Sequence, residues 1–229
     1  MLWEESNRAA TETTPDMIDV SFRLKARRLS VNHHHALALR VCQQLPWLRW
    51  EPWAGIHPIR IAPSAHGWST PQGGDDGAWH LAKRTRLRLR IPSHRESDVS
   101  LLEGSVLELE PETIEIGPMK THRLTPADPL FAKHVVSERD VSEPRFVDWI
   151  IGALQPWGIH PKKVLCGKWD RIITPEEPLH TRSVLLASLT QEASIRLQCR
   201  GLGRARELGC GIFVPHKSIE AVRNGDQQS

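Results

Sequence analysis

The sequence predicts an α+β protein made of two tandem ferredoxin-like, RRM-like units. Three observations carry this. Some segments place apolar residues at every second position, as strands do, and others at a period of 3.6, as amphipathic helices do. The two kinds follow one another as β-α-β-β-α-β, the split unit of ferredoxin-like folds. That order then runs a second time along the 229 residues. The halves share pattern rather than identity. The expected organisation is a lead at 1–15, a first unit at 16–118, a connection near 117–128, a second unit at 126–222 and a tail at 223–229.

Residues 17–24, MIDVSFRL, alternate as a strand. From Asn32 to Leu48 the pattern turns helical, with Asn32 as N-cap and Leu37, Val41, Leu45 and Leu48 on one face. A short strand is expected over 56–62, with Pro58 at an edge or bulge. Residues 63–78, rich in Gly, Ser, Pro and Asp, read as a loop. The clearest strand is WHLAKRTRLRLRI, 79–91. A short helix follows at 93–103, with Ser93 and Glu96 spaced as a capping box. Strand periodicity returns over 105–116.

In the second run, 130–136 reads as a strand and 143–155 as a helix with Pro144 in its first turn. Strands are expected within 163–174 and 182–189, a helix over 190–199 and a last strand over 211–215.

Composition narrows the function. Hydrophobic residues make up 39% of the chain, as in folded globular proteins. No apolar run approaches the roughly 18–20 residues of a membrane helix. The polar, acidic N-terminus lacks the basic start and apolar core of a signal peptide. Cys42, Cys166, Cys199 and Cys210 form no C-x-x-C pair, which argues against the usual zinc spacing and for reduced, structural thiols in a cytoplasmic protein. The chain has no tyrosine and nine tryptophans. Catalysis by a tyrosine hydroxyl is therefore excluded, and any base stacking falls to Trp, Phe or His. The net charge of +3 hides two basic clusters, one from Lys83 to Arg95 and one from Arg196 to Arg206. Such clusters mark either a solvated face or a localised polyanion site.

Strand alternation puts Arg84, Arg86, Arg88 and Arg90 on one face of 79–91, roughly 7 Å apart, opposite Thr85, Leu87, Leu89 and Ile91. A line of like charges needs partners. Either Glu108, Glu110, Glu112 and Glu115 of the next strand supply them, or the phosphates of a polyanion do. In NHHHALALRV, 32–41, His34 is expected over the apolar face, His33 at its edge and His35 pointing away. Three histidines so arranged do not share a metal ion on one helix face. The positive end of a helix disfavours imidazolium, so a first-turn histidine stays neutral, as a general base must.

GLGRARELGCG, 201–211, repeats Gly-apolar-Gly on either side of a five-residue basic spacer. Bare amides beside Arg204 and Arg206 suit a phosphate cradle. The stretch runs from helix to strand, the reverse of Walker and dinucleotide loops.

This doubled motif, Gly201, Gly203, Gly209 and Gly211 just before a last strand, resembles the glycine-rich motif of CRISPR-associated pre-crRNA-processing endoribonucleases in the RAMP superfamily. MIDVSFRL, NHHHALALRV, GIHPI and the segment from Ser188 to Pro215 are similar to its myxobacterial-subtype branch. The resemblance implies tandem ferredoxin-like units and cleavage of CRISPR repeat RNA without metal or other cofactor. In that reaction the RNA's own 2′-hydroxyl attacks, leaving a 2′,3′-cyclic phosphate and a 5′-hydroxyl. It implies a catalytic histidine on the first helix, which matches His33 or, in the other register, His34. RNA contacts are expected at Arg84, Arg86, Arg88, Arg90, Arg196, Arg200, Gly201, Gly203, Arg204, Arg206, Gly209 and Gly211. His57 either lines the cleft or is structural. The implied partners are pre-crRNA, mature crRNA held at its 3′ end, and other subunits of a surveillance complex. A non-catalytic RNA-binding subunit of such a complex is the alternative.

Overall fold

The computed structural model describes residues 15–59 and 77–216. The first half contains β1 (Met17–Lys25), β2 (Arg28–Ser30), α1 (His33–Gln44), β3 (Gly55–Ile56), β4 (Ala78–His80), β5 (Arg86–Pro92), α2 (Glu96–Ser100), β6 (Val106–Leu109) and β7 (Glu112–Arg123). The second contains β8 (Leu130–Val136), α3 (Glu143–Leu154), β9 (Lys163–Ile172), β10 (Leu179–Ala187), α4 (Gln191–Arg200) and β11 (Val214–Pro215). The main sheets are antiparallel, with strand orders β3-β5-β1-β7-β6 and β11-β8-β10-β9. In each, the first and third strands of the unit lie at the centre and the strands after the helices flank them. The ferredoxin-like order therefore occurs twice.

Alternation explains how each sheet buries one face. Val20, Phe22, Leu87, Leu89, Ile91, Ile114 and Ile116 form the first core with Leu37 and Val41 of α1 and Val99 of α2. Leu130, Ala132, Val135, Val184 and Leu186 form the second with Phe146, Ile150 and Leu154 of α3 and Leu197 of α4. The opposite face of each sheet stays free of its own helices.

Several expected boundaries move. The strand expected over 79–91 is two strands: β4 pairs with β2 in a small separate sheet, and the chain turns at Lys83–Arg84 before β5 joins β1. The helix expected to run from Asn32 to Leu48 ends at Gln44, because Pro46 opens a 3-10 turn. Asn32 sits at its N-cap without a side-chain bond to the helix. The strand expected over 105–116 is the hairpin of β6 and β7, turning at Glu110–Pro111, and β7 runs on to Arg123, past the expected end of the first unit. Ser93 caps nothing; its Oγ donates to Asp16 instead, at 2.6 Å. The last strand is limited to Val214–Pro215. Most of the expected loop at 63–78, the lead and the tail lie outside the described residues.

Candidate active site

The first turn of α1 meets the open face of the second sheet. His33 shares the buried stripe of α1 with Leu37, Ala38, Val41 and Cys42, so it, and not His34, continues the apolar face. His33 Nδ1 donates to the Ser30 carbonyl at 2.7 Å, while its buried Nε2 has no hydrogen-bond partner among the described residues. Burial, then the neighbouring His34 and Lys133, push its pKa down to about 3. His34 is half-buried and faces the second unit. Its Nδ1 donates to the Leu208 carbonyl at 3.0 Å. A carbonyl only accepts, so the proton of neutral His34 sits on Nδ1 and the lone pair on Nε2. Burial lowers the pKa of His34, the hydrogen bond to Leu208 opposing it.

A third histidine completes the group. His34 is stacked on His33 with ring centroids 4.5 Å apart, and its other neighbour is His134, edge-on at 5.3 Å. The reach of His134 comes from a bulge. Arg182 pairs with Val135 and Val184 with Ala132, so Lys133 and His134 together stand opposite the single residue Ser183. The extra residue breaks the alternation that would have buried His134 with Ala132. His134 Nδ1 instead bonds Thr181 Oγ1 at 3.1 Å, 3.8 Å from the Asp170 carboxylate. Burial, then Lys133 and the other two histidines, lower its pKa to about 3. The exposed Lys133 thus acts electrostatically on all three rings. Among the described residues, no three His, Cys, Asp or Glu side chains are grouped to hold a metal ion.

The glycine-rich stretch ties this group together. The Leu208 carbonyl holds His34, and the Gly211 N–H donates to the His134 carbonyl at 2.7 Å. The loop closes on itself through Leu202 N–H to the Gly211 carbonyl. Gly201 and Gly211 both have positive φ, at 65° and 66°, and a Cβ on either would overlap neighbouring atoms: the Arg206 guanidinium at Gly201, the Leu202 backbone at Gly211. Gly201, Gly209 and Gly211 are buried, so their expected contact with RNA is corrected to a packing role; Gly203 and Arg204 remain exposed. Arg206 is likewise corrected. It is 6% exposed and donates to the carbonyls of Trp53, Ala54 and Arg200, so no phosphate reaches it.

The arginine row divides. Arg84 lies in the turn before β5, Arg86 and Arg88 stand on the open face of the first sheet, and Arg90 is 0% exposed. Arg90 grips both oxygens of Asp19 at 2.8 and 3.0 Å and donates to the carbonyls of Gln198 and Phe213, both at 2.7 Å. It is a bolt between the units, and its expected place on RNA is corrected. His57 joins the same knot, 5% exposed, with Nε2 at 3.1 Å from Asp19 Oδ1. The glutamates of 108–115 do not neutralise the row, because β5 neighbours β1 and β3: Arg86 faces Arg23, and Arg88 faces Ser21. With Lys120 opposite Ser21 from the other side, the open face carries Arg23, Arg86, Arg88 and Lys120. Arg196 and Arg200 are half-buried on α4; Arg196 donates to the Trp157 carbonyl, and Arg200 lies over Trp157 and Trp53 at 5.5 and 5.8 Å.

Comparison with known proteins points in one direction. The family model described as Cas6 Crispr matches residues 18–218. The CRISPR-associated endonuclease Cas6 of Myxococcus xanthus strain DK1622 is 25% identical over 198 residues, covering 86% of this chain and 81% of its own. A Cas6-related protein from Pyrococcus furiosus superposes with a TM-score of 0.64 at 13% identity, over 88% of this chain and 99% of its own. A RAMP protein binding different RNA substrates does so with a TM-score of 0.63 at 13% identity, over 87% and 100%. At such identities the two solved structures speak for the tandem fold.

Proposed function

The chain belongs to the Cas6 family, and from that premise and the histidine group we propose that it is a metal-independent endoribonuclease that cuts precursor CRISPR RNA within its repeats. The observation that carries this reading is the tautomer of His34. With Nδ1–H committed to the Leu208 carbonyl, its Nε2 is a proton acceptor on a half-buried ring at the junction of the two units. In the proposed reaction Nε2 takes the proton of a ribose 2′-hydroxyl. The oxygen attacks the adjacent phosphorus, the bond to the 5′-oxygen breaks, that oxygen takes up a proton from solvent while His34 returns its own, and the products are a 2′,3′-cyclic phosphate and a 5′-hydroxyl. Lys133 supplies positive charge against the phosphate as negative charge builds. His33 and His134 act by position: one stacks under His34, the other meets it edge-on. The exposed Arg84, Arg88 and Arg204 and the half-buried Arg86, with Arg23 and Lys120, hold the phosphodiester backbone. The product remains on the protein by its 3′ end, as a subunit of a surveillance complex.

The test is cleavage of the cognate repeat RNA in EDTA. Wild type cuts it, His34→Ala cuts about 10²- to 10⁴-fold more slowly, as expected for loss of a general base, and His33→Ala loses less. Wild-type rates for both variants refute the assignment. A wild-type protein that binds its repeat and never cuts it is instead a non-catalytic RNA-binding subunit.

A further inference from the structure

We infer that the outer edge of the second sheet carries a binding site for an unpaired RNA base, with Trp169 of β9 as its platform; this rests on the RNA-binding reading above. β9 is the edge strand of its sheet. It has a bulge of its own: Arg182 pairs with Trp169 but Val184 with Cys166, so Gly167 and Lys168 stand opposite Ser183. Without the extra residue, Cys166 and Trp169 would point to opposite faces of the sheet. With it, both point to the α3 side and line a cavity of about 470 Å³ with Glu143, Lys168 and Arg182.

The Trp169 ring forms one wall of this open depression. The guanidinium of Arg182 lies 4.1 Å from the centre of the Trp169 ring. Arg182 is itself 7% exposed, is held by Glu143 at 3.7 Å and the Val141 carbonyl at 3.4 Å, and keeps a buried Nε without a hydrogen-bond partner. One side of the indole is thus backed by a cation, while the ring is still 40% exposed. An aromatic face among exposed cations is the recurring platform for single-stranded nucleic acid. The cations are present along the same edge: Lys162, Lys163, Lys168 and Arg171 are all exposed. Glu143 offers an acceptor for the ring N–H or amino group of a base.

The edge is also continuous with the candidate active site. Asp170, the next residue after Trp169, points to the opposite face and lies 3.8 Å from His134. A strand of RNA leaving the histidine group crosses β9 one residue from Trp169. The occupant is therefore an unpaired nucleotide flanking the cleavage site.

The experiment uses the full chain, the repeat RNA with a single-stranded flank, the same RNA without it, and a flank carrying 4-thiouridine. Trp169→Ala weakens binding of the flanked RNA about 5- to 150-fold, the range of one lost base stack, and Trp169→Phe restores most of it. The flankless RNA binds wild type and Trp169→Ala alike. The 4-thiouridine crosslinks within residues 163–172. Lys168→Ala, at an exposed position, lowers the salt slope of flanked binding by about 0.7 without touching the stack. Equal affinity of wild type and Trp169→Ala for flanked RNA, or crosslinks only outside 163–172, overturns the inference while cleavage stands. A wild-type protein that binds no repeat RNA overturns this inference and the proposed function together.

Discussion

Four arginines that look alike in the sequence end in different environments. Arg84 is in a turn, Arg86 caps its own neighbourhood through the carbonyls of Lys83 and Thr85, Arg88 is exposed on the sheet, and Arg90 is sealed between the units. Alternation alone separates the arginines from Leu87, Leu89 and Ile91, each 0% exposed. It cannot see that α4 and the chain before β11 close over Arg90, because those segments lie more than a hundred residues away. The buried knot has a measurable consequence. Burial on its own would raise the Asp19 carboxyl; His57 and Arg90 beside it hold it well below the usual carboxylate range. Arg90→Met leaves that carboxylate without its bidentate partner and two carbonyls without donors. Loss of about 3–5 kcal/mol of stability is expected in urea denaturation. Arg88→Met, one turn of the pleat away and exposed, changes stability by less than about 0.5 kcal/mol. Equal losses from the two variants would contradict the bolt.

At the scale of elements, the strand and helix periods locate β1, β8 and α3 within a residue or so, since each has unbroken alternation or an apolar stripe. The misread strands share a cause, whereas α1 ends early at Pro46. A strand that changes partner at a turn, as 79–91 does, keeps its alternation on both sides of the break. The bulges in β8 and β9 are equally silent. Nothing in LFAKHVV marks the point where His134 leaves the core face, so the third histidine was not legible, whereas the run of histidines on α1 was. Register also decides what the basic face does. With Arg23 beside Arg86 and Lys120 beside Ser21, the first sheet presents a cationic surface two strands wider than the row on β5. If that surface binds phosphates, Arg86→Ala/Arg88→Ala lowers the slope of log affinity against log salt by about 1.4–1.8, from two lost phosphate contacts. Binding measured across a salt series checks this, and an unchanged slope removes β5 from the RNA surface.

At the scale of the whole molecule, the glycine-rich stretch, Arg90 and the three histidines belong to one junction, and the junction titrates. His33 and His134 are buried neutral, each with a pKa near 3 against an ordinary 6.5. Burial also lowers the pKa values of His34 and His57. Between about pH 6.5 and 3 the unfolded chain therefore binds protons at His33 and His134 and the folded chain does not, and His34 and His57 add to the difference in the same direction. Stability depends on the difference in bound protons, so it must fall as the pH drops through this window. Each strongly depressed histidine contributes a slope approaching about 1.4 kcal/mol per pH unit. Asp19 and Glu192 act with the same sign, but only as the pH falls through the ordinary carboxylate range, so the interval from about pH 5.5 to 6.5 isolates the histidines. Urea midpoints measured in that interval should decline steeply for wild type. They should decline less for His33→Asn/His134→Asn, in which the first amide still donates to the Ser30 carbonyl and neither side chain titrates. The residual slope belongs to His34, His57 and His122. A double variant that loses stability with acid as steeply as wild type would mean that the junction admits water and that the histidines are not buried together. A flattened curve would mean that the group proposed to cut RNA also couples the two units.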